Sequence, residues 1–190
     1  MEKICDSYST GALYDFVSRS ENLEEYRNIL ESLADQKQNW TYIINDIMKE
    51  RGLSASKMAE LCGVSRQSVQ KWLKGSVPKS RETYIKIGFA AHYNLKQMNY
   101  FLQRYGCVNK LYPKYLEDSV CIFVLSSDCI EHSYQACEKV INMIKNEIFD
   151  DVPRSEGKEY TTSALELDIT NLRSLQEMVS FLKEHAQMYK

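Results

Sequence analysis

Between Trp40 and Gly106 three glycines, Gly52, Gly63 and Gly75, stand 11 and 12 residues apart, and Pro78 follows the last. The runs between them carry apolar residues at helical spacing and show no two-residue alternation. Helices of 8–11 residues joined by tight turns satisfy that pattern, and strands do not. With only 7 Gly and 3 Pro in 190 residues, forced breaks are few elsewhere, which favours an all-α chain. The 44% of apolar residues is enough to bury a core. Three segments follow: an N-terminal helical arm (1–39), the glycine-punctuated unit (40–106) and a helical C-terminal region (107–190).

In the arm, a break near Ser20 separates two short helices, the second carrying Leu23, Tyr26, Ile29, Leu30 and Leu33 on one face. In the C-terminal region, Ser119–Leu125 reads as a buried strand or a buried helix. Helix is preferred because no second strand-like run offers it a partner. A helix is expected over Glu131–Phe149, a linker over Asp150–Thr162 and a final helix over about 170–189. No run approaches the roughly 18 apolar residues of a membrane span, and the N-terminus lacks the apolar stretch of a signal peptide, so a cytoplasmic location is expected.

Charge is divided unevenly. Residues 40–110 hold 12 Lys or Arg against 4 Asp or Glu, whereas residues 1–39 and 111–190 have net charges of −4 and −6. A basic middle between acidic flanks suggests one surface that faces a polyanion.

The stretch Ala55–Lys74 meets each local demand of two short helices packed at a steep angle. Ala59 is small where the helices cross. Gly63 tolerates the positive φ of a sharp turn. Met58, Leu61, Cys62, Val64, Val69 and Trp72 fill the angle, Ser65 can cap the second helix, and Gly75 suits its end. Arg66, Gln67, Ser68, Gln70, Lys71 and Lys74 remain outward, all hydrogen-bond donors and none acidic. A helix fits the major groove of duplex DNA, where Arg or Lys contacts guanine and Gln pairs with adenine. The alternative is a solvated face on an ordinary helical hairpin, on which an acid among six positions is expected.

From Ile44 to about Leu95 the chain resembles the Cro/CI-type (Xre) helix-turn-helix family. The carrying residues are Arg51-Gly52-Leu53-Ser54, the run Met58–Arg66, Val69, Trp72, Gly75, Pro78 and Thr83-Tyr84-Ile85-Lys86-Ile87. The resemblance implies a lambda-repressor-like fold whose third helix enters the major groove. It places Arg66, Gln67 and Lys71 over base edges, Ser68 and Gln70 on the same helix face, and Lys74, Lys79 and Arg81 against phosphates. Ala55 stands where the family usually has a phosphate-contacting Gln, so that contact is either missing or supplied by Ser56 or Lys57. Residues 88–126 are also similar, less specifically, to helical extensions of some family members.

The remaining features point to no catalysis and no cofactor. With no CxxC pair, the six cysteines read as small apolar thiols. Cys121, Cys129, His132 and Cys137 suggest zinc, but a helix over 129–137 would separate its two cysteines by about 12 Å along the axis. Leu172, Leu175, Val179, Leu182, Ala186 and Tyr189 form a 3-4-3-4-3 stripe, readable as a homodimer seam or as a face packed on its own chain. The expected function is therefore a sequence-specific regulator binding double-stranded DNA, as a homodimer. The rival is an adaptor or antitoxin-like protein whose acidic flanks, the C-terminal region above all, bind a partner protein. A metal-dependent enzyme is the weakest reading.

Overall fold

The structure, a computed structural model, describes residues 36–148 and 161–189. The helices expected in the arm, and most of the linker over 150–162, lie outside the described residues. Among those described the chain is all-helical, without a strand. The helices are α1 (Gln36–Glu50), α2 (Ala55–Cys62), α3 (Arg66–Leu73), α4 (Arg81–Ala90), α5 (Leu95–Arg104), α6 (Leu116–Ser126), α7 (Tyr134–Ile148), α8 (Thr162–Asn171) and α9 (Leu175–Glu184), followed by a 3-10 turn at Ala186–Met188. None is long and apolar enough to cross a membrane.

Side chains placed just before the helices fix most of the starts. Ser54, Ser65, Ser80, Asn94, Thr161 and Ser174 each accept a bond from an amide three residues on, and Gln97 bonds back to the Asn94 N–H. Each such cap removes one of the unpaired amides at a helix N-terminus.

The Ser119–Leu125 run lies within α6, and every residue of it is buried. A helix apolar on all sides must be enclosed on all sides, and α5, α7 and α8 pack around it. One apolar core runs unbroken from Trp40 to Tyr189, including the ring cluster of Trp40, Tyr84, Tyr93 and Phe101.

The C-terminal stripe is not one helix. α8 ends at Asn171, Leu172 is extended, and Ser174 caps a new helix. Leu182, Ala186 and Tyr189 are buried in their own chain, and Leu172, Leu175 and Val179 pack against the same core. Ser119 even donates a bond to the Tyr189 hydroxyl at 3.2 Å. The stripe therefore packs on its own chain, with Leu172, Leu175 and Val179 half-buried.

The cysteines divide. Cys62, Cys121 and Cys137 are buried, and burial pushes the Cys62 thiol up to about 12. The hydrogen bond from Cys137 and then burial hold the Cys121 thiol above its ordinary value, so both stay neutral core groups. Cys107 and Cys129 are exposed, contrary to the apolar reading. Cys129 precedes α7 and sits 2.9 Å from the Ser127 hydroxyl, so the separation argued along a helix does not apply to it. Among the described residues no group of three or more His, Cys, Asp or Glu is placed to hold a metal ion.

One ionic knot ties the C-terminal helices to α4. The Arg81 guanidinium meets both Asp118 oxygens at 2.8 Å and donates to the carbonyls of Asn109 and Lys110 at 3.0 Å. Asp118 also accepts the Tyr112 N–H at 2.8 Å. The Asp118 side chain is 4% exposed and the Arg81 side chain 31%. Asp118→Ala leaves that guanidinium without its acid, at a cost of roughly 2–4 kcal/mol, between the values for exposed and buried pairs. Glu117→Ala removes only an exposed pair with Lys145 and should cost less than about 1 kcal/mol. Urea unfolding of the two variants checks the ranking; equal costs would contradict it.

Candidate nucleic-acid interface

The unit α2-turn-α3 forms from local chemistry. Ser54 caps α2, and Ala59, 6% exposed, lies on the buried face of that helix. Gly63 ends α2 at φ 62°, and its N–H and that of Val64 close on the carbonyls of the last turn. The next residue but one, Ser65, starts α3 by accepting the Ser68 N–H at 3.1 Å. Met58 and Cys62 from α2 and Val69 and Trp72 from α3 are buried in the angle, and Leu61 and Val64 are half-buried. After Lys74, Gly75 takes φ 95° and the chain turns towards Pro78, which is buried.

Burying Val69 and Trp72 turns the opposite face of α3 outward. Arg66, Gln67, Gln70, Lys71 and Lys74 are all exposed. At 100° per residue they occupy an arc of about 140°. Arg66, Lys71, Lys74 and the nearby Lys79 have no carboxylate within ion-pair distance among the described residues. The face is thus cationic and free of acids.

Other selected residues are placed differently. Ser68 is half-buried and its hydroxyl lies 3.0 Å from that of Ser65, so it belongs to the cap more than to the open face. Ser56 and Lys57 are exposed on the first turn of α2, but Lys57 pairs with Glu60 at 2.9 Å. The expectation for Arg81 changes most. Four of its five N–H donors point into the knot with Asp118 and the 109–110 carbonyls, so its charge is engaged inside the protein.

Sequence reasoning missed the support behind this face. Gln135, on the first turn of α7, bonds the Leu61 carbonyl at 3.4 Å. Lys86 on α4 pairs with Glu82 at 2.7 Å, reaches Glu138 at 3.9 Å and lies 4.8 Å from the Tyr134 ring centre. Helical spacing links only Lys86 with Glu82; the contacts from α7 join positions too far apart for any spacing to show. The Arg81 partner left one trace: an acid, Asp118, directly beside an apolar run needs a cation if the run is buried.

Residues 44–87 match the family model described as helix-turn-helix. The match ends eight residues short of the resemblance read from sequence and spans less than a quarter of the chain. It contains the whole α2-turn-α3 unit and most of α4. No curated protein and no solved structure matches the chain.

Gly63 carries the turn by conformation and not by lack of space. A Cβ there would meet only the Lys86 Nζ, at 3.8 Å. Gly63→Ala should therefore cost about 1–2 kcal/mol, the penalty of a left-handed residue with a side chain, and Gly63→Asn less. Denaturant unfolding of both variants measures this, and an unchanged midpoint for the alanine variant would rule out the left-handed turn.

Proposed function

We propose that this protein is a sequence-specific transcriptional regulator that binds duplex DNA with α3 in the major groove. The observation that carries the reading is the exposed α3 face of Arg66, Gln67, Gln70, Lys71 and Lys74, every residue of it able to donate and none acidic, set on a helix-turn-helix scaffold. Groove edges of guanine and adenine present the acceptors such donors need. Arg66, Gln67 and Lys71 read bases in this proposal, with Gln70 beside them. Lys74, Lys79, Ser56 and Lys57 meet phosphates, Lys57 after exchanging Glu60 for the backbone. Arg81 is left out because its donors are engaged.

One short helix contacts few base pairs, and a two-fold pair of helices doubles the contacts on a palindromic site. The regulator acts as a homodimer in this reading, through a surface other than the 172–189 stripe, which packs on its own chain. Sedimentation with and without an operator duplex checks this, and a single chain per operator would overturn it.

Lys71 and Lys74 separate the two kinds of contact within one helix. Lys71 lies one turn beyond Gln67, whereas Lys74 stands at the C-terminal end beside Gly75. A base contact carries sequence information, and a phosphate contact adds affinity for every sequence. Lys71→Ala should cost roughly 1–3 kcal/mol on the cognate site, selected from a random library, and little on mixed sequence. Lys74→Ala should weaken both and reduce the salt slope by about one unit. Titration of both variants on both duplexes across a salt series decides. Identical losses would remove α3 from base reading, and no loss from either would remove DNA binding from this face.

A further inference from the structure

We propose that Lys110, beyond the helix-turn-helix segment, is an additional phosphate-contacting residue, held beside the DNA-binding face by the Arg81–Asp118 knot. The proposal rests on the reading of α3 as a DNA-binding helix and extends its footprint into the C-terminal region. Lys79 precedes α4, and at most about 7 Å of backbone separates it from Arg81. Arg81 in turn holds the Asn109 and Lys110 carbonyls at 3.0 Å. Those two bonds dock the 109–110 segment at the N-terminal end of α4, the end that the turn after α3 leads into.

The charges at this end then sort themselves. Arg81 is neutralised by Asp118, and Glu117 is paired with Lys145 at 2.9 Å. Lys110 is exposed and has no carboxylate within ion-pair distance among the described residues. Glu166 lines the same shallow cleft as Lys110 but forms no ion pair with it. Arg81 thus fixes the position without contributing free charge, and Lys79 and Lys110 contribute free charge without fixing the position. A duplex whose wall passes Lys74 and Lys79 presents a continuous row of phosphates, and Lys110 extends the row of cations that meets it. Arg81 and Asp118 are positioning residues in this arrangement.

The test uses the full chain and a mixed-sequence duplex, on which phosphate contacts act without an operator. Lys110→Ala should lower the salt slope by about one unit and weaken binding several-fold at low salt. Lys110→Glu should weaken it further. Lys96→Ala supplies the control: it removes the same charge from the first turn of α5, beyond the opposite end of α4, and should leave the slope unchanged. Asp118→Asn should abolish most of the Lys110→Ala effect in the double variant, because the loop is no longer held. If Asp118→Asn fails to fold in a thermal melt, the Lys110 and Lys96 variants decide alone. A wild-type slope for Lys110→Ala, alongside a reduced slope for Lys74→Ala, overturns the proposal and leaves the α3 reading intact. Equal effects from Lys110→Ala and Lys96→Ala overturn it as a mere change of net charge. A wild-type chain that does not bind the duplex removes both readings together.

Discussion

Beside the apolar core that the two halves of this molecule share, the Arg81 guanidinium supplies their most extensively hydrogen-bonded ionic tie. Arg81 opens α4, the helix that follows the helix-turn-helix pair, and its donors reach Asp118 on α6 and two carbonyls in the loop before it. Asp118 lies beside a run that must be buried, so its charge needs a partner from another helix. Satisfying that need ties the N-terminal end of α4 to α6 and to the loop before it. Once α6 is placed, α5, α7 and α8 close around it, and the first turn of α7 comes to rest on α2 through Gln135 and Leu61. The orientation of the cationic face relative to the helical body rests on this contact together with the shared core and the Gln135–Leu61 bond.

How much of this was legible in the sequence depends on the reach of each signal. The α2-turn-α3 pair was legible because its determinants are neighbours: Gly63 at positive φ, Ser65 three residues before the amide it caps, Val69 and Trp72 on one face. The family match over residues 44–87 agrees with that local reading. The exposure of Arg66, Gln67, Gln70, Lys71 and Lys74 followed from the same periodicity. Their contacts with bases or phosphates depend on how a duplex docks, which no periodicity encodes.

Neither the partner of Arg81 nor the surface that covers the C-terminal stripe could be read from spacing. A cation after a turn is compatible with a phosphate or with a buried acid, and only the fold brings Asp118 to it. The spacing from Leu172 to Tyr189 is correct for a seam, yet it says nothing about which surface covers it. It also passes over Ser174, a strong N-cap placed where a continuous helix would need an interior residue. That serine was the local sign of the break. α6 was ambiguous for the opposite reason: an all-apolar run has no face, and only the absence of a partner strand pointed to helix.

The bond between Ser119 and Tyr189 spans 70 positions, and the Arg81–Asp118 contact spans 37, whereas the caps of α2 and α3 span three. Loop-closure entropy grows only logarithmically, by about 0.6 kcal/mol for each doubling of length. Going from three positions to 70 therefore adds only about 3 kcal/mol to the cost of closure. Rate is another matter, because chains rich in local contacts fold faster than chains dominated by remote ones. The two halves are unlike in this respect: the α2-turn-α3 pair is built on contacts within a turn or two, while the C-terminal body includes contacts between segments far apart in the chain. Arg81 stands at that boundary: its own helix is local, and its acid lies 37 positions away.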